Sequence, residues 1–150
     1  ENQRTSFKRQ IALARDLNLP LVIHSRNAES EVLSMLHVEK FNLPVVFHCF
    51  TGNKQAAAEI IRRGYGISLS GIITFKKADA LREIVKMIPL DQLFSETDAP
   101  YLAPEPKRGE TNNPLGVIPV VKKIAMIKET SEEQIKDAIS QNVNRLITRN

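Results

Sequence analysis

LPLVIHSR at 19–26 and LPVVFHCF at 43–50 repeat one pattern, in which Leu-Pro precedes a short apolar run that ends in a histidine. Short apolar runs rich in β-branched residues and bounded by proline predict strands. Apolar residues at helical spacing precede each run: Phe7, Ile11, Ala14 and Leu17 before the first, and Ala28, Val32, Met35 and Leu36 before the second. The repeated unit is therefore a helix followed by a strand that ends at His24 or His48.

The same alternation of helix and strand continues along the chain. NKQAAAEIIRRG at 53–64 predicts a helix before the strand candidate YGISLS, and the apolar spacing over 76–88 predicts another before LFSETDAP. A capping box at Ser131 and Gln134 predicts a closing helix. The proline-rich segment 99–119 is predicted to be a stiff loop that is too polar for the core.

Strands that alternate with helices predict a parallel sheet, which is either open and doubly wound or closed into a barrel. No glycine-rich phosphate loop follows any predicted strand, and this favours the barrel. The chain has 150 residues, 42% hydrophobic and 25% charged, which is typical of one globular domain. The formal charge of +4 is spread along the chain and is compatible with phosphate-bearing partners. One cysteine and no long apolar stretch predict a cytoplasmic protein without membrane association.

Side chains that bind metals fall at three predicted strand ends. In parallel α/β folds, the carboxyl ends of the strands form one rim, and His24, His48 and Asp98 each end a predicted strand. Two imidazoles and a carboxylate bind zinc or a similar divalent cation and leave a position for water. A hydrogen-bonded rim histidine is the alternative interpretation for each imidazole. His37 lies late in a helical stretch and is predicted to face solvent.

Four segments resemble the TatD family of metal-dependent hydrolases: IHSRNA at 23–28, FHCFTG at 47–52, ISLSG at 67–71 and ETDAPYLAP at 96–104. The resemblance implies a TIM-type (β/α) barrel, a divalent metal ion (Mg, Mn or Zn) as cofactor, and DNA as the substrate of an exonuclease-type deoxyribonuclease. It implies that His24, His48 and Asp98 are metal ligands. Asp98 would also be the catalytic residue that takes a proton from the attacking water.

Intact members of this family also have a His-x-His pair on the first strand of the whole barrel and a glutamate in a GE-x-GLD segment near the fourth strand. This sequence contains neither the pair nor the GE-x-GLD segment. A whole barrel needs about 250 residues. We therefore expect residues 1–150 to form a single domain, the carboxyl-terminal half of a TatD-like barrel whose amino-terminal half is missing. Open barrel edges predict self-association. A catalytically silent half-barrel with a partial metal site and a binding role is the alternative function.

Two further residues are candidates near the predicted metal site. Arg26 suits bidentate contact with a phosphate of the substrate, and a surface arginine at a helix start is the alternative. Glu96 lies two residues before Asp98, so it either supports the metal site or fills the barrel.

Four more residues invite a functional and a structural interpretation. Lys107 and Arg108 could follow a nucleic-acid backbone, although solvated loop charges are common. Tyr101 could stack on a base or pack against the protein. Cys49 could be a nucleophile, but a buried structural thiol is predicted, because strand alternation points it away from His48.

Overall fold

The structure, a computed structural model, describes residues 1–148 and is built around a sheet of four parallel strands. The strands are β1 (Leu21–His24), β2 (Val45–His48), β3 (Gly66–Leu69) and β4 (Leu93–Ser95), and they lie side by side in chain order. β1 and β2 pair in register, with His24 opposite His48. The predicted parallel α/β architecture is confirmed.

Six helices connect and flank the strands: α1 (Asn2–Asp16), α2 (Glu29–Val38), α3 (Lys54–Arg62), α4 (Asp79–Met87), α5 (Val117–Ile127) and α6 (Glu132–Ile147). Side chains fix where two of them begin. The Asn53 side chain accepts a hydrogen bond from the Ala56 amide at the start of α3. The predicted capping box of Ser131 and Gln134 is present at the start of α6. Within residues 1–148, no helix is both long and apolar enough to cross a membrane.

The predicted loop over 99–119 is wrong at its carboxyl end. A single 3₁₀ turn at Pro114–Gly116 leads directly into α5, whose residues Val120, Val121, Ile124 and Ala125 are buried. Pro119 lies in the first turn of α5, where backbone amides have no partner within the helix, so its missing N–H costs little. The loop itself also enters the core, because Ala103 and Asn112 are buried.

The two faces of the sheet differ in chemistry. Alternate strand residues pack against the helices and form the core, among them Ile23, Phe47, Ile67, Leu69 and Leu93. The opposite face carries His24, His48 and Ser68 toward the carboxyl ends of the strands. Its lower part holds Phe94 over Gly66, where an added Cβ would lie 2.5 Å from the Phe94 ring. On this face, apolar residues lie toward the amino ends of the strands and polar residues toward their carboxyl ends. The site is therefore at the carboxyl rim.

The two outer strands are covered to different extents. On β4, the Leu93 carbonyl accepts a hydrogen bond of 2.7 Å from the Asn142 amide group of α6. On β1, Val22 is 61% exposed. Within the described residues, no strand pairs with the outer side of either β1 or β4. The sheet is therefore open, and its β1 side is the less protected one.

Candidate metal centre at the rim of the sheet

The two repeated histidines lie together at the carboxyl rim. His24 and His48 end β1 and β2, as predicted, and their ring centroids are 5.9 Å apart. This proximity follows from the in-register pairing of the two strands. The repeated sequence pattern thus brings both imidazoles to one place.

Asp98 reaches the same place by a different route from the predicted one. β4 ends at Ser95, so Asp98 lies beyond the strand in a turn, with a left-handed φ of 55°. The prediction that Asp98 ends the strand is wrong, because the chain leaves the sheet after Ser95. The turn nevertheless places Asp98 Oδ1 3.2 Å from His48 Nε2.

His48 lies between two carboxylates. Its Nδ1 is 2.7 Å from Glu96 Oε2, while its Nε2 faces Asp98 Oδ1. A neutral imidazole has one donor nitrogen and one acceptor nitrogen. If Nδ1 donates to Glu96, the lone pair of Nε2 faces a carboxylate oxygen, and both atoms are acceptors. Two facing acceptors need a hydrogen atom or a metal ion between them.

Glu96 concentrates its hydrogen bonds on one oxygen. Oε2 contacts His48 Nδ1 and also accepts from Ser68 Oγ at 2.5 Å and from the Cys49 amide at 3.2 Å. Its other oxygen, Oε1, is buried and has no hydrogen-bond partner among residues 1–148. These contacts place Glu96 within the site rather than among the side chains that only fill the sheet face.

The residues present fit a divalent cation. One ligand atom from each of His48, Glu96 and Asp98 lies within 4.8 Å of the other two. An imidazole with two carboxylates suits zinc or manganese, and the carboxylate oxygens also suit magnesium. The unpartnered Glu96 Oε1 supplies an acceptor that a bound cation would satisfy. His24 is exposed and is not part of this close set, so its role as a ligand stays a prediction.

The other residues singled out in the sequence are exposed. Arg26 is exposed, lines a groove with His24, and forms no side-chain hydrogen bond or ion pair within the described part of the chain. Tyr101 is 70% exposed in the loop that carries Asp98. His37 is exposed on α2, as predicted, and lines a groove between α2 and α3.

Cys49 is buried, as predicted, although not because of strand alternation. It follows the last residue of β2 with a left-handed φ of 46°, and only 6% of it is exposed. Its Sγ lies 3.3 Å from Ser70 Oγ. Burial raises the pKa of the Cys49 thiol to about 11, against the smaller opposing effect of the Ser70 contact. The thiol is therefore a structural group and not a nucleophile.

Two residues of the site were not identified from the sequence. Ser68 binds Glu96, as described above. Asn112 is 7% exposed, and its side-chain amide donates to the carbonyls of Thr97 (2.9 Å) and Tyr101 (2.8 Å). It therefore ties together the two ends of the turn that carries Asp98. No local pattern marks either residue, because their partners are distant in sequence.

Comparison with known proteins gives consistent matches. A family model described as TatD related DNase matches residues 1–148. A protein of Escherichia coli K12 described as the uncharacterized metal-dependent hydrolase YcfH is 39% identical over 145 residues, which cover 96% of this chain and 55% of YcfH. The uncharacterized metal-dependent hydrolase YabD of Bacillus subtilis is 41% identical over 145 residues, which cover 96% of this chain and 57% of YabD.

Solved structures match over a similar extent. The crystal structure of YJJV, a TatD homolog from Escherichia coli K12, matches with a TM-score of 0.85 and 28% identity, over 91% of this chain and 53% of YJJV. A TatD family hydrolase from Entamoeba histolytica has the same fold, with a TM-score of 0.85 at 20% identity, over 95% of this chain and 55% of that one. The chain thus spans about half the length of the relatives that it matches.

Proposed function

Because the chain belongs to the family of TatD-related DNases, whose relatives are metal-dependent hydrolases, we propose that it forms part of an enzyme that hydrolyses phosphodiester bonds in DNA. The observation that carries this proposal is the position of His48 between the carboxylates of Glu96 and Asp98, at the rim and next to the His24 ring. Acceptor atoms facing one another in this way favour a bound cation, and an open rim leaves space for a substrate.

The proposed ligands are His48, Asp98 and His24, and Glu96 supports them. A divalent cation, when bound, lowers the pKa of water and offsets the charge of a phosphate group. Glu96 accepts a hydrogen bond from the N–H of His48 Nδ1, which leaves the lone pair of Nε2 directed toward the rim. Ser68 and the Cys49 amide hold the accepting oxygen of Glu96 in place.

Asp98 is the proposed proton acceptor. Its carboxylate is 33% exposed at the rim, so an attacking water molecule can reach it. Arg26, which is exposed on the loop that follows β1, would bind the non-bridging oxygens of the phosphate through its guanidinium group. The phosphorus would then be held beside the group that takes the proton from water.

The test is cleavage of single-stranded DNA in the presence of manganese, with a chelator control. Asp98→Asn keeps the shape of the side chain but removes its charge and basicity. In a full-length enzyme that contains this chain, it should lower turnover roughly 10²–10⁴-fold. Asp91→Asn, at an exposed position in a surface turn, is the matched control and should leave turnover unchanged. Equal activity of the two variants would refute the role of Asp98.

A second candidate function is a catalytically silent half-barrel with a binding role. Two observations favour it for the chain alone: the chain spans about half of its relatives, and its sequence has no His-x-His pair. We expect hydrolysis by the isolated 150-residue chain to be near background. Robust, chelator-sensitive cleavage by that chain would rule out the silent role.

A cytoplasmic location is part of the proposal. It rests on DNA as the proposed substrate and on the resemblance to the TatD family. Fractionation of cells that express the tagged protein would test it, and recovery outside the cytoplasmic fraction would refute it.

A further inference from the structure

The loops that follow β3 and β4 pack against each other beside the metal centre. An added Cβ on Gly71 would lie 2.1 Å from the Leu102 carbonyl oxygen, so the two backbones approach as closely as glycine permits. The Glu105 amide donates to Thr74 Oγ1 at 2.9 Å. Segments 71–77 and 102–108 therefore form one wall of the rim.

Four basic residues lie on the two segments of this wall. The guanidinium carbon of Arg108 lies 4.3 Å from the centre of the Phe75 ring, which joins the two segments by a cation–π contact. Lys76 and Lys77 follow Phe75, and Lys107 precedes Arg108. Stacking on the ring leaves the N–H groups at the edge of the guanidinium free to bind an anion. We call Lys76, Lys77, Lys107 and Arg108 the basic rim.

The charge of the basic rim is not offset by acidic partners, unlike that of several other cations of the protein. Several surface cations form ion pairs: Arg62 and Arg63 with Glu59, Arg82 with Asp79, Lys86 with Glu83, and Lys136 with Glu133. All four residues of the basic rim are exposed. Within residues 1–148, none of them forms an ion pair with a carboxylate. Their charge is therefore available to an external anion.

The basic rim lies on the loops that follow β3 and β4, the same strands that lead to residues of the proposed active site. The loop after β3 starts just beyond Ser68, which binds Glu96, and the loop after β4 carries Asp98. Arg26 follows β1 at the opposite end of the sheet. A ligand with a single phosphate group, bound at His48 and Asp98, has no second phosphate that could contact the basic rim. A nucleic-acid strand has one charge per nucleotide and can do so.

We propose that the basic rim binds the phosphate backbone of a nucleic-acid strand on one side of the phosphodiester bond that is cleaved. This inference rests on the proposed function, because it takes the strand to be the substrate. Contacts with the backbone alone carry no sequence information, so this surface would hold strands of any sequence. Each contact releases counterions, so binding should weaken steeply with salt.

The test measures binding to a labelled single-stranded oligothymidylate of about 12 nucleotides, by fluorescence anisotropy in EDTA over a series of salt concentrations. The variant Lys107→Gln/Arg108→Gln removes two charges from the basic rim. It should reduce the magnitude of the slope of log K against log salt by about 1.4, because each of the two lost phosphate contacts contributes about 0.7. It should also weaken binding roughly tenfold or more at 0.1 M salt. The matched control, Lys122→Gln/Lys123→Gln on α5, makes the same change in charge outside segments 71–77 and 102–108.

Equal slopes for the two double variants would overturn the proposal, because only general charge would then matter. An acidic peptide of equal charge should bind the unchanged protein at least tenfold more weakly than the oligonucleotide. Equal or tighter binding of the peptide would overturn nucleic acid as the occupant. No turnover is measured, so these outcomes are separate from failure of the hydrolase proposal, which would appear as absence of chelator-sensitive cleavage.

Discussion

Glu96 links the backbone of the rim to the imidazole of His48. Three donors, one each from His48, Ser68 and the Cys49 amide, meet at its Oε2. Carboxylates that accept from a ligand histidine fix the orientation and tautomer of its ring, so they act on a metal site without touching the substrate. The geometry of the centre therefore depends on Glu96, for which the sequence alone allows two roles, support of the metal site or filling of the barrel.

The first prediction concerns the buried thiol beside this centre. Because burial raises the pKa of Cys49 to about 11 from its ordinary 9.0, the folded protein keeps the proton at pH 8, and the reactive thiolate is scarce. Reaction with a thiol reagent at pH 8 should be roughly 100-fold or more slower in the folded protein than in urea. Absorbance of the released chromophore measures both rates.

The same shift in pKa predicts how stability depends on pH. The pKa is higher in the folded state than in the unfolded state, so the contribution of Cys49 is intact below pH 9.0 and is lost as the pH rises toward about 11. Cys49→Ala should flatten this decline in urea denaturation. Rapid modification of the folded protein at pH 8 would show that the thiol is not shielded.

Sequence reasoning at the residue scale succeeded where a pattern was local. The sequence predicts His24 and His48 at strand ends, because the same Leu-Pro and apolar pattern precedes both histidines. Ser68 and Asn112 could not be identified, because their roles arise only from contacts with Glu96 and with the turn around Asp98. A lone serine or asparagine has no spacing that reveals a partner across the fold.

At the scale of elements, the loop after β4 is held by one buried amide. Asn112→Asp replaces the donor that serves the Thr97 and Tyr101 carbonyls with an acceptor. It should lower the free energy of unfolding by about 1–3 kcal/mol, the range for a buried polar group left unsatisfied. Urea denaturation measures this loss. Asn42→Asp, at an exposed position, is the control, and an equal effect of both changes would show that charge alone is responsible.

The error over α5 has a specific cause. Val117, Val120, Val121, Ile124 and Ala125 follow the spacing of an apolar helix face, so the signal was present in the sequence. Pro119 follows several other prolines, and together they predict a loop that extends to residue 119. A proline in the first turn is compatible with a helix, because the amides of that turn have no partner inside it. Because Pro119 is the third residue of α5, it does not interrupt the helix.

At the scale of the whole molecule, the two sheet edges predict where association occurs. The outer side of β4 is contacted by Asn142 of α6, whereas β1 is open and exposes Val22. We expect the chain to self-associate at micromolar concentration through β1. Val22→Lys should shift it toward monomer in sedimentation velocity, because lysine protects sheet edges from pairing. Met126→Lys on exposed α5 surface is the control. A chain that is already monomeric would contradict this expectation.

We expect the repeated histidines and the acidic residues of the rim to hold one divalent cation. The most direct measurement is the affinity of the protein for zinc or manganese by equilibrium dialysis, compared between His48→Ala and His37→Ala. His48 lies between Glu96 and Asp98, while His37 is exposed on α2. We expect a loss of affinity of at least about tenfold for His48→Ala, a loss also for His24→Ala, and no change for His37→Ala. Equal losses for all three variants, or unchanged affinity in His48→Ala, would contradict it.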